Sequence, residues 1–506
     1  MLRQGVAGRV TRYRQVLVHY QSNVTAVALA VLGSLFASVH IGVPGLWSDE
    51  IATLLSAERS WPLLTKMLEN IDLVHAFYYA IIHLWTDIFG HDTVALRLPS
   101  AIAIGLTGAM TFLIGQRLMS YWPALTAGIG LFVLPRAMWA ATEARSYAMA
   151  MLATSLVVYC FLRAVDAGTV GWWACYGLAL AAATLLFLYS ATIVAALAAA
   201  ALVHSRKMTR WRSLGIATAV SLIALMPFVT GVVSQRDQVS WISLTQPADV
   251  AFAIAGPLGR IPFELVIPYG LLMLASTAAL IKTSWSDDWP PRPELSPLSP
   301  RASGVLLLGW LVLPSAILLI ANAFMPVYSP RYASISTPAL ALLLGELVYI
   351  AGRFKREVSA GVLVLVTLLG YPRWIEIHQN DAKSSVNLVA DTVETLRRGE
   401  GEAIWFDGSN RTARDVLYAH PEVFAGTVDL TLASPPGAEG RLYETTMPLT
   451  SASSRLTDIS RIIGIVRKPE MPGVEEDLRW LRTQGFCQAP GGSDIETWRI
   501  LVLERC

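Results

Sequence analysis

Val24–Val43 reads VTAVALAVLGSLFASVHIGV, twenty residues without a formal charge, and Pro44-Gly-Leu-Trp-Ser-Asp49-Glu50 follows at once. At 1.5 Å per helical residue that run covers about 30 Å, the hydrocarbon thickness of a bilayer. Ser120–Leu134 is a second long apolar run, and the chain as a whole is 54% hydrophobic and only 15% charged. A soluble protein carries about 25% charged residues. A purely soluble enzyme is excluded, and a polytopic α-helical membrane protein is what remains.

The charge is unevenly spread. Of 76 charged residues, 35 lie in the last 134 positions, from Arg373 to Cys506. The expectation is a membrane module over residues 1–372 and a soluble domain over 373–506. Arg3, Arg9, Arg12 and Arg14 precede the first apolar run with no acid among them. No small-residue cleavage site follows, so the segment reads as an uncleaved anchor running from inside to outside.

His75–Phe89 is short for a crossing and contains His83 and Asp87, so it is taken to lie on the outer surface. Later spans then begin near Ala95, Ser120, Tyr147, Trp172, Thr192, Ser213, Phe263, Gly304, Thr337 and Ser359. This places Arg206, Lys207, Arg210 and Arg212, and also Arg353, Lys355 and Arg356, on the inside, as the positive-inside rule requires. The result is about eleven spans with the tail outside; whether Trp172–His204 is one long helix or a hairpin stays open. Outer loops fall at Gly45–Thr93, Pro135–Ser146, Ser234–Pro262 and Met325–Tyr332, and the Pro-rich Trp285–Arg301 is an inner connector.

Beyond Arg373, short strand-like and helical runs alternate: Ala403–Phe406, Ala413–His420, Val428–Leu432, Arg455–Ile459, Ile462–Val466, Val474–Gly485 and Glu496–Glu504. That pattern predicts a small extracytoplasmic α/β domain. It contains no glycine-rich nucleotide fingerprint, and a net charge of +2 gives no support for nucleic acid. Cys160 and Cys175 lie in apolar runs, whereas Cys487 and Cys506 share the outer domain and are expected to form a disulfide.

Candidate chemistry gathers on the outer side. Asp49 and Glu50 follow the first span, although Ser48 or Asp49 could simply cap a helix. The same loop carries Asp72, His75, Tyr78 and Tyr79. Another outer turn carries Glu143, Arg145 and Tyr147, and a third carries Arg331 and Tyr332. Arginines at that depth either snorkel to headgroups or pair with an anion. Snorkelling is the expectation for Arg97 and Arg136; for Arg145 and Arg331 anion pairing is favoured. His75 reads equally as an interfacial aromatic. Carboxylates and arginines on one membrane face suit a reaction in which a hydroxyl loses its proton to a carboxylate while a lipid-borne phosphate departs onto guanidinium groups.

Asp49-Glu50, His75-Ala-Phe-Tyr-Tyr79, Arg97-Leu-Pro-Ser100, Glu143-Ala-Arg145-Ser-Tyr147 and Pro330-Arg331-Tyr332 together resemble the pattern of GT-C membrane glycosyltransferases. The nearest branch holds protein O-mannosyltransferases, aminoarabinose transferases and actinobacterial cell-envelope relatives. The resemblance implies a polyprenyl-phosphate sugar donor, inversion at the anomeric carbon and an acid of the first outer loop as base. By position Asp49 is that base and Glu50 a second acid. Arg145 and Arg331, with His75, would bind the donor phosphate, and Tyr78, Tyr79, Glu143, Tyr147 and Tyr332 would line the substrate site. Where the family commonly has prolines after the histidine, this chain has Ala76-Phe77. The resemblance favours mannose, with arabinose the rival sugar, and an envelope glycolipid or glycan as acceptor. A lipid-linked-sugar flippase is the alternative class. No His or Cys spacing defines a metal site, while two adjacent acids leave room for a divalent cation.

Overall fold

The computed structural model describes residues 2–204, 208–239, 242, 255–285, 296–399, 401–408, 411–468 and 472–506. Arg206, Lys207, residues 240–241 and 243–254 of the loop expected at Ser234–Pro262 and most of the Pro-rich connector lie outside the described residues. Seven described segments are long and apolar enough to cross a membrane: Tyr20–Ala37, Thr93–Leu118, Tyr147–Ala167, Phe263–Trp285, Pro300–Asn322, Pro330–Tyr349 and Gly352–Ile377. Two bent pairs, Tyr121–Phe132 with Pro135–Ala141 and Trp211–Ala224 with Met226–Ser234, raise the number to nine. The ambiguous Trp172–His204 resolves into two shorter helical segments, Val170–Leu186 and Leu188–His204, separated at Phe187, whose backbone is extended. Counting these two, each about 25 Å long, brings the number among the described residues to the expected eleven. Leu73–Phe89 is a third short apolar segment.

The bends have local causes. Leu134 precedes Pro135 and sits at φ −74°, ψ 131°, because proline's ring disfavours a helical residue before it. The two helices therefore meet at 54°. What the sequence reads as an outer turn at Pro135–Ser146 thus begins with a helix, Pro135–Ala141, that has proline in its first turn. Small residues bring neighbouring helices into contact: a Cβ on Gly105 would overlap the Ala30 carbonyl oxygen and Ser34 Oγ.

The chain forms two compact units. The first comprises Met1–Ile41, Val74–Tyr78 and Arg97–Ile375; the second comprises Gly42–Leu73, Tyr79–Leu96 and Glu376–Cys506. The tail from Glu376 belongs to the second unit together with two N-terminal segments, 42–73 and 79–96. Hydrogen bonds tie the first of these segments to the tail: Gly45 N–H donates to the Asn380 carbonyl at 3.0 Å, and Arg59 Nη2 donates to the carbonyls of Arg441 and Leu442 at 3.0 and 2.7 Å.

Within the second unit the strands are β1 (Glu402–Phe406), β2 (Val428–Asp429), β3 (Leu432–Ser434), β4 (Thr445–Thr446), β5 (Arg461–Arg467), β6 (Phe486–Gln488), β7 (Ser493–Ile495) and β8 (Trp498–Arg505). The main sheet runs β2-β1-β5-β8-β6, with β7 also paired to β8 and β3-β4 forming a separate ribbon. β1 lies parallel to both β2 and β5, whereas β8 is antiparallel to its partners. Alternation along the strands sends Trp405, Ile462 and Val466 to a core with Val474 and Leu481 of helix Pro472–Thr483. Ile404, Phe406, Ile463 and Ile465 go to the other face, against Val386, Val389 and Val393 of helix Val386–Leu396. Both faces are covered, which is why β5 reads as an unbroken apolar run. Cys487 and Cys506 are joined by a disulfide beside the β6–β8 pairing.

Candidate active site

The candidate residues divide between the two units. In the first, His75 ends a short 3-10 turn, Leu73–His75, and Arg145 sits in the irregular link before helix Tyr147–Ala167. Arg145 Nη2 donates to His75 Nε2 at 2.8 Å. Burial, then the charges of Arg145 and Arg331, push the His75 imidazole well below its ordinary titration range. A neutral ring follows, with Nε2 as the acceptor. Arg331 lies in the 3-10 segment Pro330–Ser336, close enough for its charge to act on that ring. Arg145, Arg331 and His75 are thus brought together from three separate parts of the chain.

Arg97 and Arg136, expected to snorkel, do not. Arg97 is 0% exposed and donates to the Ile41 carbonyl at 2.7 Å; Arg136 is 7% exposed and donates to the carbonyls of Gly256 and Pro330 at 3.0 and 3.2 Å. Backbone oxygens satisfy these guanidinium groups where headgroups were expected, so both tie segments together. Arg136 also lies over the Trp139 ring at 5.1 Å. Glu143 is fully buried, and its carbonyl accepts from Ser100 Oγ at 2.6 Å.

An aromatic cluster adjoins this group. Tyr332 lies 5.0 Å from Tyr189 and 5.5 Å from Phe187, while Tyr147 lies 5.1 Å from Trp139 and 6.1 Å from Phe187. Phe187 and Tyr189 occupy the helix break, and they escape a sequence reading because nothing distinguishes them from other aromatics of an apolar run. Tyr78 and Tyr79 are both 0% exposed. Both rings are buried, as the Glu143 side chain is.

In the second unit, helix Ser48–Ala57 carries the acids in its first turn, where the dipole favours negative charge. Its cap is Trp47, without a side-chain capping bond, so neither Ser48 nor Asp49 plays the ordinary capping role. Ser48 Oγ instead donates to Asp415 Oδ2 at 2.5 Å. Asp49 remains partly exposed, whereas Glu50 is 0% exposed with Lys383 Nζ 3.4 Å from each carboxylate oxygen. Lys383 was not anticipated, since 333 residues separate it from Glu50. Asp72 adopts φ +62° and accepts from Tyr79 Oη at 2.8 Å. An aspartate tolerates that left-handed backbone better than most residues.

Among the described residues no group of three or more His, Cys, Asp or Glu side chains is arranged to hold a metal ion. The first unit offers guanidinium groups that can take a phosphate, and the second offers a partly exposed carboxylate that can take a proton.

Residues 75–233 match the sequence family described as dolichyl-phosphate-mannose-protein mannosyltransferase, and the match begins at His75. No curated protein sequence gives a significant match. Among solved structures, ArnT from Cupriavidus metallidurans bound to undecaprenyl phosphate is similar with a TM-score of 0.56 and 15% identity, over 95% of this chain and 97% of that one. The apo state of the same protein gives 0.56 and 13%, over 94% and 97%. The Archaeoglobus fulgidus oligosaccharyltransferase tethered to an acceptor peptide gives 0.48 and 10%, over 87% and 68%. At such identities the property shared with ArnT is the fold.

Proposed function

We propose that the chain is a GT-C membrane glycosyltransferase that uses a polyprenyl-phosphate sugar, an inverting hexosyltransferase of the plasma membrane; the fold similar to ArnT and the family match over residues 75–233 support this reading. It moves a sugar, mannose in our reading, from a polyprenyl-phosphate donor to an envelope glycolipid or lipoglycan on the outer face. The N-terminus is cytoplasmic and the C-terminal domain extracytoplasmic.

The acceptor hydroxyl attacks the anomeric carbon and gives its proton to the Asp49 carboxylate. The bond from that carbon to the phosphate oxygen breaks, and the electron pair leaves on polyprenyl phosphate, whose charge Arg145 and Arg331 hold. Glu50 backs Asp49 as the second acid, and Glu143, Tyr147 and Tyr332 line the sugar's surroundings. The observation that carries this reading is the Arg145–His75 hydrogen bond with the charge of Arg331 beside it. Two guanidinium groups, one bonded to His75 and the other close enough for its charge to reach that ring, make a field suited to a phosphate. Undecaprenyl phosphate in the ArnT structure supports the donor class, and the mannosyltransferase match supports the sugar.

The test is a donor screen in membranes, pairing each polyprenyl-phosphate sugar with envelope glycolipid acceptors and reading products by mass. Asp49→Asn should lower transfer by a factor of about 10³ or more with the protein still folded. Full activity in that variant sinks the assignment, and movement of lipid-linked sugar across liposomes without covalent transfer would favour a flippase.

A further inference from the structure

The acids Asp49 and Glu50 are held by the C-terminal segment of the same compact unit, and the hold has several independent parts. Gly45 N–H donates to the Asn380 carbonyl at 3.0 Å, and Ser384 Oγ donates to the Leu46 carbonyl at 2.7 Å. The approach is close enough that a Cβ on Gly45 would meet Val386 Cγ2 at 2.8 Å and the Ser384 carbonyl oxygen at 3.1 Å. Lys383 Nζ reaches both oxygens of Glu50, and the side chains of the pair are 6% and 0% exposed. Ser48 Oγ, which could have capped its own helix, is bonded to Asp415. Val386 in turn belongs to the sheet core with Ile404 and Ile463.

A helix whose first turn lacks a side-chain cap is free to fray. Here its fixed points are supplied from residues 380–386 and 415. A buried carboxylate one residue after the proposed base is balanced by an ammonium that the sheet domain positions.

We infer that Lys383 is a positioning residue for the acidic pair: with Ser384 and Asp415 it splints the first turn of helix Ser48–Ala57 to the α/β domain, so that Asp49 is presented to the acceptor in one geometry. This role presupposes the transferase function proposed above, and it gives the C-terminal domain a part in catalysis without any contact with substrate. Misplacement of a catalytic group by about 1 Å costs on the order of 100-fold in rate, whereas substrate binding made elsewhere is untouched.

The experiment uses full-length protein in nanodiscs with Lys383→Met, Lys383→Arg, and Lys383→Met combined with Glu50→Gln. Hydrogen exchange is read peptide by peptide, and kinetics are taken with polyprenyl-phosphate mannose, or whichever donor the screen shows the unaltered protein to use. In Lys383→Met, exchange should rise across residues 46–57 and stay unchanged in β1, β5 and β8. Its kcat should fall about 10- to 100-fold with the donor KM within about twofold. Lys383→Arg should keep most of the rate, and the double variant, which lacks both ends of the ion pair, should keep raised exchange across residues 46–57; full protection there overturns the inference.

Unchanged exchange at 46–57, or increased exchange there with unchanged kcat, overturns the inference. So does a rise in exchange throughout the sheet, which would make Lys383 a strut of the domain as a whole. Asp49→Asn is measured alongside: full activity in it overturns the proposed function and with it the positioning role of Lys383, whereas an inactive Asp49→Asn with a fully active Lys383→Met overturns the positioning role alone.

Discussion

His75 is held neutral by its surroundings, and that has a measurable consequence. As pH falls through about 6.5, an ordinary histidine takes up a proton, but this ring is opposed by burial, Arg145 and Arg331. The unfolded chain takes that proton and the folded one does not, so acid destabilises the native state at this position. The acid limb of the pH–rate profile should therefore show no step belonging to His75, and His75→Gln should leave it unmoved. Arg145→Lys, which keeps the charge and loses the planar fork, should lower kcat/KM about 100-fold in the same assay. Asp477 has the opposite sense. Burial, reinforced by the charges of Asp407 and Glu476, pushes its carboxyl up to about 6. The folded domain then holds a proton that the unfolded chain has released above about pH 4. Stability is fully present below that value and lost as pH rises through 6. Asp477→Asn should make the α/β domain more stable above pH 6 by about 1 kcal/mol, allowing for solvent screening. Hydrogen exchange of the β1 and β5 amides at pH 5 and pH 8 checks the difference.

At the scale of elements, bends and contacts depend on small residues and prolines that a hydropathy reading passes over. Gly105 faces Ala30 and Ser34 at the crossing of two spanning helices. Gly105→Val should therefore push those helices apart and cost about 1–3 kcal/mol, seen as a lower melting temperature of the detergent-solubilised protein. The apolar run of β5 and the helical period of Val474–Gly485 are legible because a strand covered on both faces is continuously apolar, whereas a helix covered on one face repeats. The break at Phe187 was not legible. No proline or glycine marks it, and its extended backbone is supported by packing against residues distant in sequence.

At the scale of the whole molecule, the basic clusters set an orientation that can be tested directly. Glu422 and Arg353 are both exposed, and the orientation proposed above assigns them to opposite sides of the membrane. An impermeant maleimide applied to spheroplasts should label Glu422→Cys and spare Arg353→Cys until the membrane is opened. The reverse pattern would place the acids on the wrong side for an outer-face acceptor.

The sequence by itself determined the membrane class, the location of the charge-rich tail and the candidacy of Asp49, Glu50, Arg145 and Arg331. These follow from solvation, since a bilayer taxes every charge and so leaves its imprint on local composition. Only the tertiary structure decided that Arg97 and Arg136 bind backbone carbonyls, that Tyr78 and Tyr79 are packed away, and that residues 42–73 and 79–96 fold with the tail. Lys383 belongs with these. An ion pair spanning 333 residues has no local signature, because which charge meets which is settled by the packing of segments that no stretch of sequence contains together.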